Sequence, residues 1–406
     1  MTGSGERIHA LDAVRGGALL LGVVLHAALS FFPQFVLWMV DDPAESPALS
    51  YSFYVIHVFR MSLFFLLAGF FAHMSLHRKG AGGFAADRAL RIALPLVVAV
   101  PVMQLAIGAA TKYAVAAGVA PAFFAEAQIH LAPLDPKTYS LTHLWFLYVL
   151  VWLYAGALVL TAAARLIDPR GRIGAALDPA VRVLVTSQLA PLVLGAPLFA
   201  LLYFHAGWTS WAGIPTPDMG LVPNRYALTG FSIAFGFGWM LHRQADLLAV
   251  WRRWWPLHLA VAILCTAGAL TLAGGVTFTP PQPMGAERAA TTAMYVIAIW
   301  CWSFGLIGAA LRFMSGHSAA RRYLADASYW IYLIHLPLVV LLQAVSAQVA
   351  APWFVKFPAL LFAAMTLMLV SYQLFVRYTV IGRVLNGRRY RREPVMTAPA
   401  AAAPAH

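Results

Sequence analysis

The sequence predicts an all-α, polytopic integral membrane protein with about ten transmembrane helices and both termini in the cytoplasm. Three observations lead there. Of 406 residues only 11% are charged and 61% are hydrophobic, with a mean hydropathy of +0.75; soluble domains carry about a quarter charged residues. Apolar runs of about 20 residues recur, each long enough to cross a hydrocarbon core of about 30 Å as a helix. Lysine and arginine are also divided unevenly between alternate connections.

In chain order the runs lie at about 12–32, 51–73, 92–112, 143–164, 183–204, 223–241, 255–275, 291–311, 328–348 and 357–376. The first is not read as a secretory signal. It lacks the usual basic leader and small-residue cleavage site, and it contains Asp12 and Arg15. An even number of crossings puts both termini on one side. With that side inside, 21 of the 28 basic residues fall in inside segments, five in outside segments or at their edges, and two, Arg15 and Arg60, within spans. This is the positive-inside pattern. It also argues against nucleic acid as the partner of the +13 net charge, because the basic residues are spread over short loops. Cys265 and Cys301 lie within spans, lack CxxC spacing and read as small core residues. Residues 1–378 form one membrane domain, and 379–406 a basic, then low-complexity cytoplasmic tail ending "TAPAAAAPAH".

Ionisable groups inside apolar runs are expensive and need a reason. In "LDAVRGGALLLGVVLHAALSFF", Arg15 and His26 are eleven residues apart, three turns plus about 20°, so they share one face about 16 Å apart. Asp12 is one turn from Arg15, near enough for an ion pair. In "YSFYVIHVFRMSLFFLLAGFF", His57 and Arg60 share a face, about 9 and 13 Å below the outer surface and level with His26. "THLWFLYVLVW" sets His143 and Trp145 at the start of the fourth run, and "ASYWIYLIHLPL" sets Tyr332 and His335 three apart in the ninth. Arg88 and Arg91, in "DRALRIALPL", open the third. Each also has a plain structural account: a snorkelling arginine, a packing histidine, an interfacial tryptophan, a polar pair between helices, or positive-inside anchors. There is no P-loop, HExxH, CxxC or GxSxG, and no intramembrane run of carboxylates. Histidine is left as the group suited to general-base work near neutral pH.

Arg15 followed after ten residues by His26, with "LDAVRG" before them, resembles the first-helix signature of the membrane acyltransferase 3 family. "FRMSLFFLLAGFF", "HLWFLYVLV" and "ASYWIYLIHLPL" are similar to that family's second-helix, fourth-span and C-terminal motifs. "IHVFRMSLFF" and "RALRIALPLVVAVP" look closest to its glucans biosynthesis protein C branch, associated with succinylation of osmoregulated periplasmic glucans. The resemblance implies an inner-membrane enzyme that takes an acyl group, with succinyl as a candidate, from cytosolic acyl-CoA to a hydroxyl of a periplasmic carbohydrate. His26 would be the catalytic histidine and Arg15 its essential partner, with Asp12, the ion-pair partner read from spacing, grouped with them. His57, Arg60, His143, Trp145, Tyr332 and His335 are expected around the substrates. Charge and sidedness assign Arg88 and Arg91 to the CoA phosphates. No metal and no permanently bound cofactor is expected; acyl-CoA is a co-substrate. The competing class is a non-enzymatic carrier or flippase, with Arg15, His26 and Arg60 lining its route.

Overall fold

The computed structural model describes residues 3–33, 37–127, 129–275 and 284–387. Among these there are helices and no strand, only an isolated bridge between Ser140 and Met219. The low-complexity ending lies outside the described residues. Helix α1 spans Gly3–Ala28, α2 Pro47–Arg88, α3 Leu94–Ala116 and α4 Trp145–Ile167. Then come α5 (Arg172–Thr186), α6 (Ala190–Tyr203), α7 (Arg225–Arg243) and α8 (Leu248–Leu272). Helices α9 (Gly285–Phe313), α10 (Ala319–Ala347), α11 (Trp353–Ser371) and the short α12 (Val380–Asn386) complete the chain. Side-chain caps start several of them: Ser46 on α2, Asn224 on α7 and Ser318 on α10 each accept from a backbone N–H in the first turn.

Seven helical stretches are long and apolar enough to cross a membrane, or eight if α5 and α6 are one broken span. The expected ten divide differently for identifiable reasons. The second and third runs belong to one 70-residue stretch, Pro47–Ala116, which breaks at Gly80 (φ 70°, ψ 175°) and continues through a π-helical turn at Ala89–Ala93. The fifth run is two helices bent by 101°. Gln188 sits there at φ 64°, its amide donates to the Val185 and Thr186 carbonyls, and Pro191 restarts the helix where a missing N–H costs nothing. The sixth run forms α7, whose 19 residues fall outside the seven.

Helix α9 is central: 72% of its apolar window is buried, against 22–28% for α4, α8, α11 and the α2–α3 stretch. Around it α8 packs on α9, α2 on α7, and α1 on α10. Two glycines make the α2–α7 crossing close. A Cβ on Gly69 would strike the Phe235 carbonyl, and one on Gly238 the Leu66 carbonyl, so the two backbones touch.

At the end away from the basic loops, residues 38–46 fold back over the end of α1. The Asp42 and Ser46 amides donate to the Ser30 and Phe31 carbonyls at 2.9 and 2.7 Å. Asp42 Oδ1 also takes Lys356 Nζ of α11 at 2.8 Å, with both side chains buried. Removing either member of such a pair strands the other charge at a cost of about 3–5 kcal/mol. The segment is therefore pinned rather than merely laid on the surface.

Candidate active site

The residues of the α1, α2, α4 and α10 motifs meet around His26. His335 fixes the proton positions. Its Nδ1 lies 2.7 Å from the Tyr332 carbonyl, which can only accept, so Nδ1 carries the hydrogen and Nε2 is a lone pair. His26 Nδ1 is 2.8 Å from that Nε2 and must donate to it, with the two rings within 15° of coplanar. The remaining nitrogen, His26 Nε2, is then the unprotonated one. Three linked groups thus deliver an oriented base.

His143 braces the same turn of α10. Its Nε2 donates to the Tyr332 and Leu333 carbonyls at 3.2 and 3.1 Å, and Tyr332 Oη donates back to the His143 carbonyl at 2.8 Å. The sequence prepares this locally. Pro337 has no N–H for the Leu333 carbonyl four residues earlier, which leaves that acceptor for the imidazole. Thr142, just before His143, adopts φ 51°, a left-handed conformation unfavourable for a β-branched residue and held by its surroundings.

Arg60 reaches the site because α1 has a glycine there. A Cβ on Gly22, one turn before His26, would collide with Arg60 Nη1. Arg60 Nε is buried without a hydrogen-bond partner, and no carboxylate pairs with this guanidinium among the described residues. A Gly22→Ala variant is expected to fold, since only the flexible end of an arginine must move, but to lose about 10²-fold in turnover. Turnover measured beside the melting temperature in detergent checks this; equal turnover at equal stability would remove Arg60 from the chemistry.

His26, Arg60, His143, Trp145, Tyr332 and His335 line a space of about 50 Å³. It adjoins a larger cavity of about 330 Å³ that opens at the basic end, and Leu19, Phe64, Phe146 and Tyr332 stand in the walls of both. Arg15, Arg78, Lys79, Arg88 and Arg91 line the larger one, with Asp12 beside Arg15 at 3.0 Å. Asp87 sits among its cations, near Arg88 (3.3 Å) and Arg91 (3.7 Å) and hydrogen-bonded to Lys79. Partial burial opposes its ionisation, but the Lys79 hydrogen bond and the neighbouring guanidinium groups outweigh that and hold its carboxyl below the usual carboxylate range. Arg88 stacks over Tyr154 and Phe84 and leaves its buried Nε unpartnered; Arg91 donates to the Leu385 carbonyl of α12. The cluster of guanidinium and ammonium groups lining this cavity suits a phosphorylated ligand.

One expected residue lies elsewhere. His57 stacks on Phe53 (5.0 Å), packs against Gly213 and does not line the His26 space. Two residues outside the sequence motifs also shape the site. Trp38 lies parallel to the His26 ring (5.8 Å, 11°), and its Nε1 donates to Gln343 Oε1 at 3.0 Å. The Gln343 amide donates in turn to the carbonyls of His26 (2.9 Å) and Ala27 (3.1 Å). Gln343 had a signal: it follows Tyr332 by eleven residues, the same three-turn spacing as Arg15 and His26.

A family model described as an acyltransferase domain matches residues 8–373. Glucans biosynthesis protein C of Escherichia coli is 29% identical over 150 residues, 36% of this chain and 37% of that protein. The protein of the same name from Salmonella typhi is 31% identical over 99 residues, 24% of this chain and 25% of that one. The chain thus aligns with well under half the length of these relatives. No solved structure matches it.

Proposed function

The chain belongs to the acyltransferase 3 family of multi-pass membrane enzymes, and from that premise we propose that it carries an acyl group from cytosolic acyl-CoA to a hydroxyl of a periplasmic carbohydrate. The observation that carries this reading is the junction of the two cavities: a basic mouth leads directly to an oriented imidazole. The basic end faces the cytosol of a bacterial inner membrane, as the lysine and arginine distribution favours. Ten crossings follow if α2, α3, the α5–α6 pair and α7 each traverse once. The CoA pyrophosphate sits among Arg78, Lys79, Arg88 and Arg91, and the thioester reaches His26.

His26 Nε2 takes the proton of the acceptor hydroxyl as its oxygen attacks the thioester carbon. Arg60 donates to the oxyanion that forms. Collapse breaks the carbon–sulfur bond, the proton on His26 passes to the departing thiolate, and an ester and free CoA result. The relatives' name points to a glucan as acceptor, and succinyl is the acyl group we assign by likeness to that branch. Family membership favours this chemistry over the non-enzymatic carrier. The test is purified protein with succinyl-CoA or acetyl-CoA and a glucan: thiol release that depends on acceptor, with a matching mass gain on the glucan, is expected. Glucan or lipid movement across proteoliposomes without any covalent change would overturn it.

A further inference from the structure

A second cleft, of about 270 Å³, lies beside the donor cavity and has no part in the chemistry above. His9, Asp12 and Arg15 of α1 form one wall, and His317, Arg321 and Arg322 at the start of α10 the other. Asp12 and Arg15 line both spaces, so their ion pair stands on the partition between them. We propose that this cleft holds the adenosine 3′-phosphate end of the donor, while the larger cavity takes the pyrophosphate and the pantetheine arm. The inference rests on acyl-CoA being the donor and adds where its nucleotide goes.

Two arguments support the division. CoA carries its phosphates in two places, a pyrophosphate on one side of the ribose and a single phosphate on the other. Two arginine-lined spaces, divided by the Asp12–Arg15 pair of α1 and by Ala325 and Asp326 of α10, match that layout. The larger space leads to His26 and so must contain the arm; the nucleoside is left for its neighbour. The side chains of the cleft also divide by task. Arg321 is committed to the end of α9, donating to the Met314 and Gly316 carbonyls at 2.9 and 2.7 Å. Arg322 is exposed, and its guanidinium makes no hydrogen bond or salt bridge among the described residues, so it is free to meet a phosphate. His9 and His317 stand edge to face with centroids 5.8 Å apart, offering ring surface to a purine, and Asp12 offers acceptors to its amino group.

The experiment measures binding of CoA and dephospho-CoA to the full-length protein in detergent by calorimetry, for wild type, Arg322→Gln and Arg322→Lys. Wild type is expected to prefer CoA by about tenfold, the scale of one charge-assisted contact. Arg322→Gln should erase that preference by weakening CoA alone, and Arg322→Lys should restore most of it. Equal affinities in wild type, or an equal loss for both ligands in Arg322→Gln, would overturn the assignment while leaving acyl-CoA as donor. Failure of wild type to bind either ligand would overturn the donor reading itself, and this one with it.

Discussion

Replacing His26 with glutamine is expected to lower acyl transfer by about 10²–10⁴-fold, the contribution of a positioned general base, while leaving the fold intact. Glutamine is close in length, and its amide can still donate to His335 Nε2, so the contact between α1 and α10 survives. It offers no nitrogen lone pair with which to accept the hydroxyl proton. Initial rates at saturating donor and acceptor, set beside the detergent melting temperature, give the answer. Transfer near the wild-type rate would remove His26 from the chemistry and reduce the relay through His335 to packing.

Arg60→Gln is expected to cost about 10²–10³-fold in turnover, the usual loss when an oxyanion donor is removed, and to cost as much with acetyl-CoA as with succinyl-CoA. The equality follows from where the guanidinium lies. Its Nη1 occupies the room left by Gly22, one turn from His26 on the side of the donor cavity. On the proposed mechanism a thioester arriving through that cavity meets it at the sulfur and carbonyl, before the far end of the acyl chain. Side-by-side rates with the two donors distinguish the roles. A loss confined to succinyl-CoA would instead assign Arg60 to the acyl carboxylate and make it a determinant of acyl choice.

Much of this site was legible because helical spacing is rigid. Arg15, His26, Tyr332 and His335 were singled out by intervals of three and eleven residues, and the helices present them where those intervals put them. Spacing fixes a face, however, and not the neighbour that meets it. His57 shares a face with Arg60, yet one turn along α2 the surroundings change from the His26 space to Phe53 and Gly213. Trp38 and Gln343 are 305 residues apart in the chain and meet only in three dimensions. The bend at Gln188 was hidden for the opposite reason. It is a local event, a left-handed residue beside a restarting proline, within an apolar run that average hydropathy reads as continuous.

Linked imidazoles at the head of an open basic cavity are also the raw material of a proton conductor. Each can accept a proton on one nitrogen and release one from the other, and such a file joined to the opposite surface would discharge the membrane that houses it. Trp38 stands at that junction, against His26. Its indole N–H can donate a hydrogen bond but has no basic nitrogen to pass a proton through, and the buried Asp42–Lys356 pair anchors the segment that carries it. Decay of a pH gradient across proteoliposomes containing the enzyme reads this directly, and should match that of protein-free vesicles. An indole rather than a third imidazole against His26 thus ends the chain of proton-passing rings at the base, so that an acceptor hydroxyl can reach it without a proton file continuing beyond.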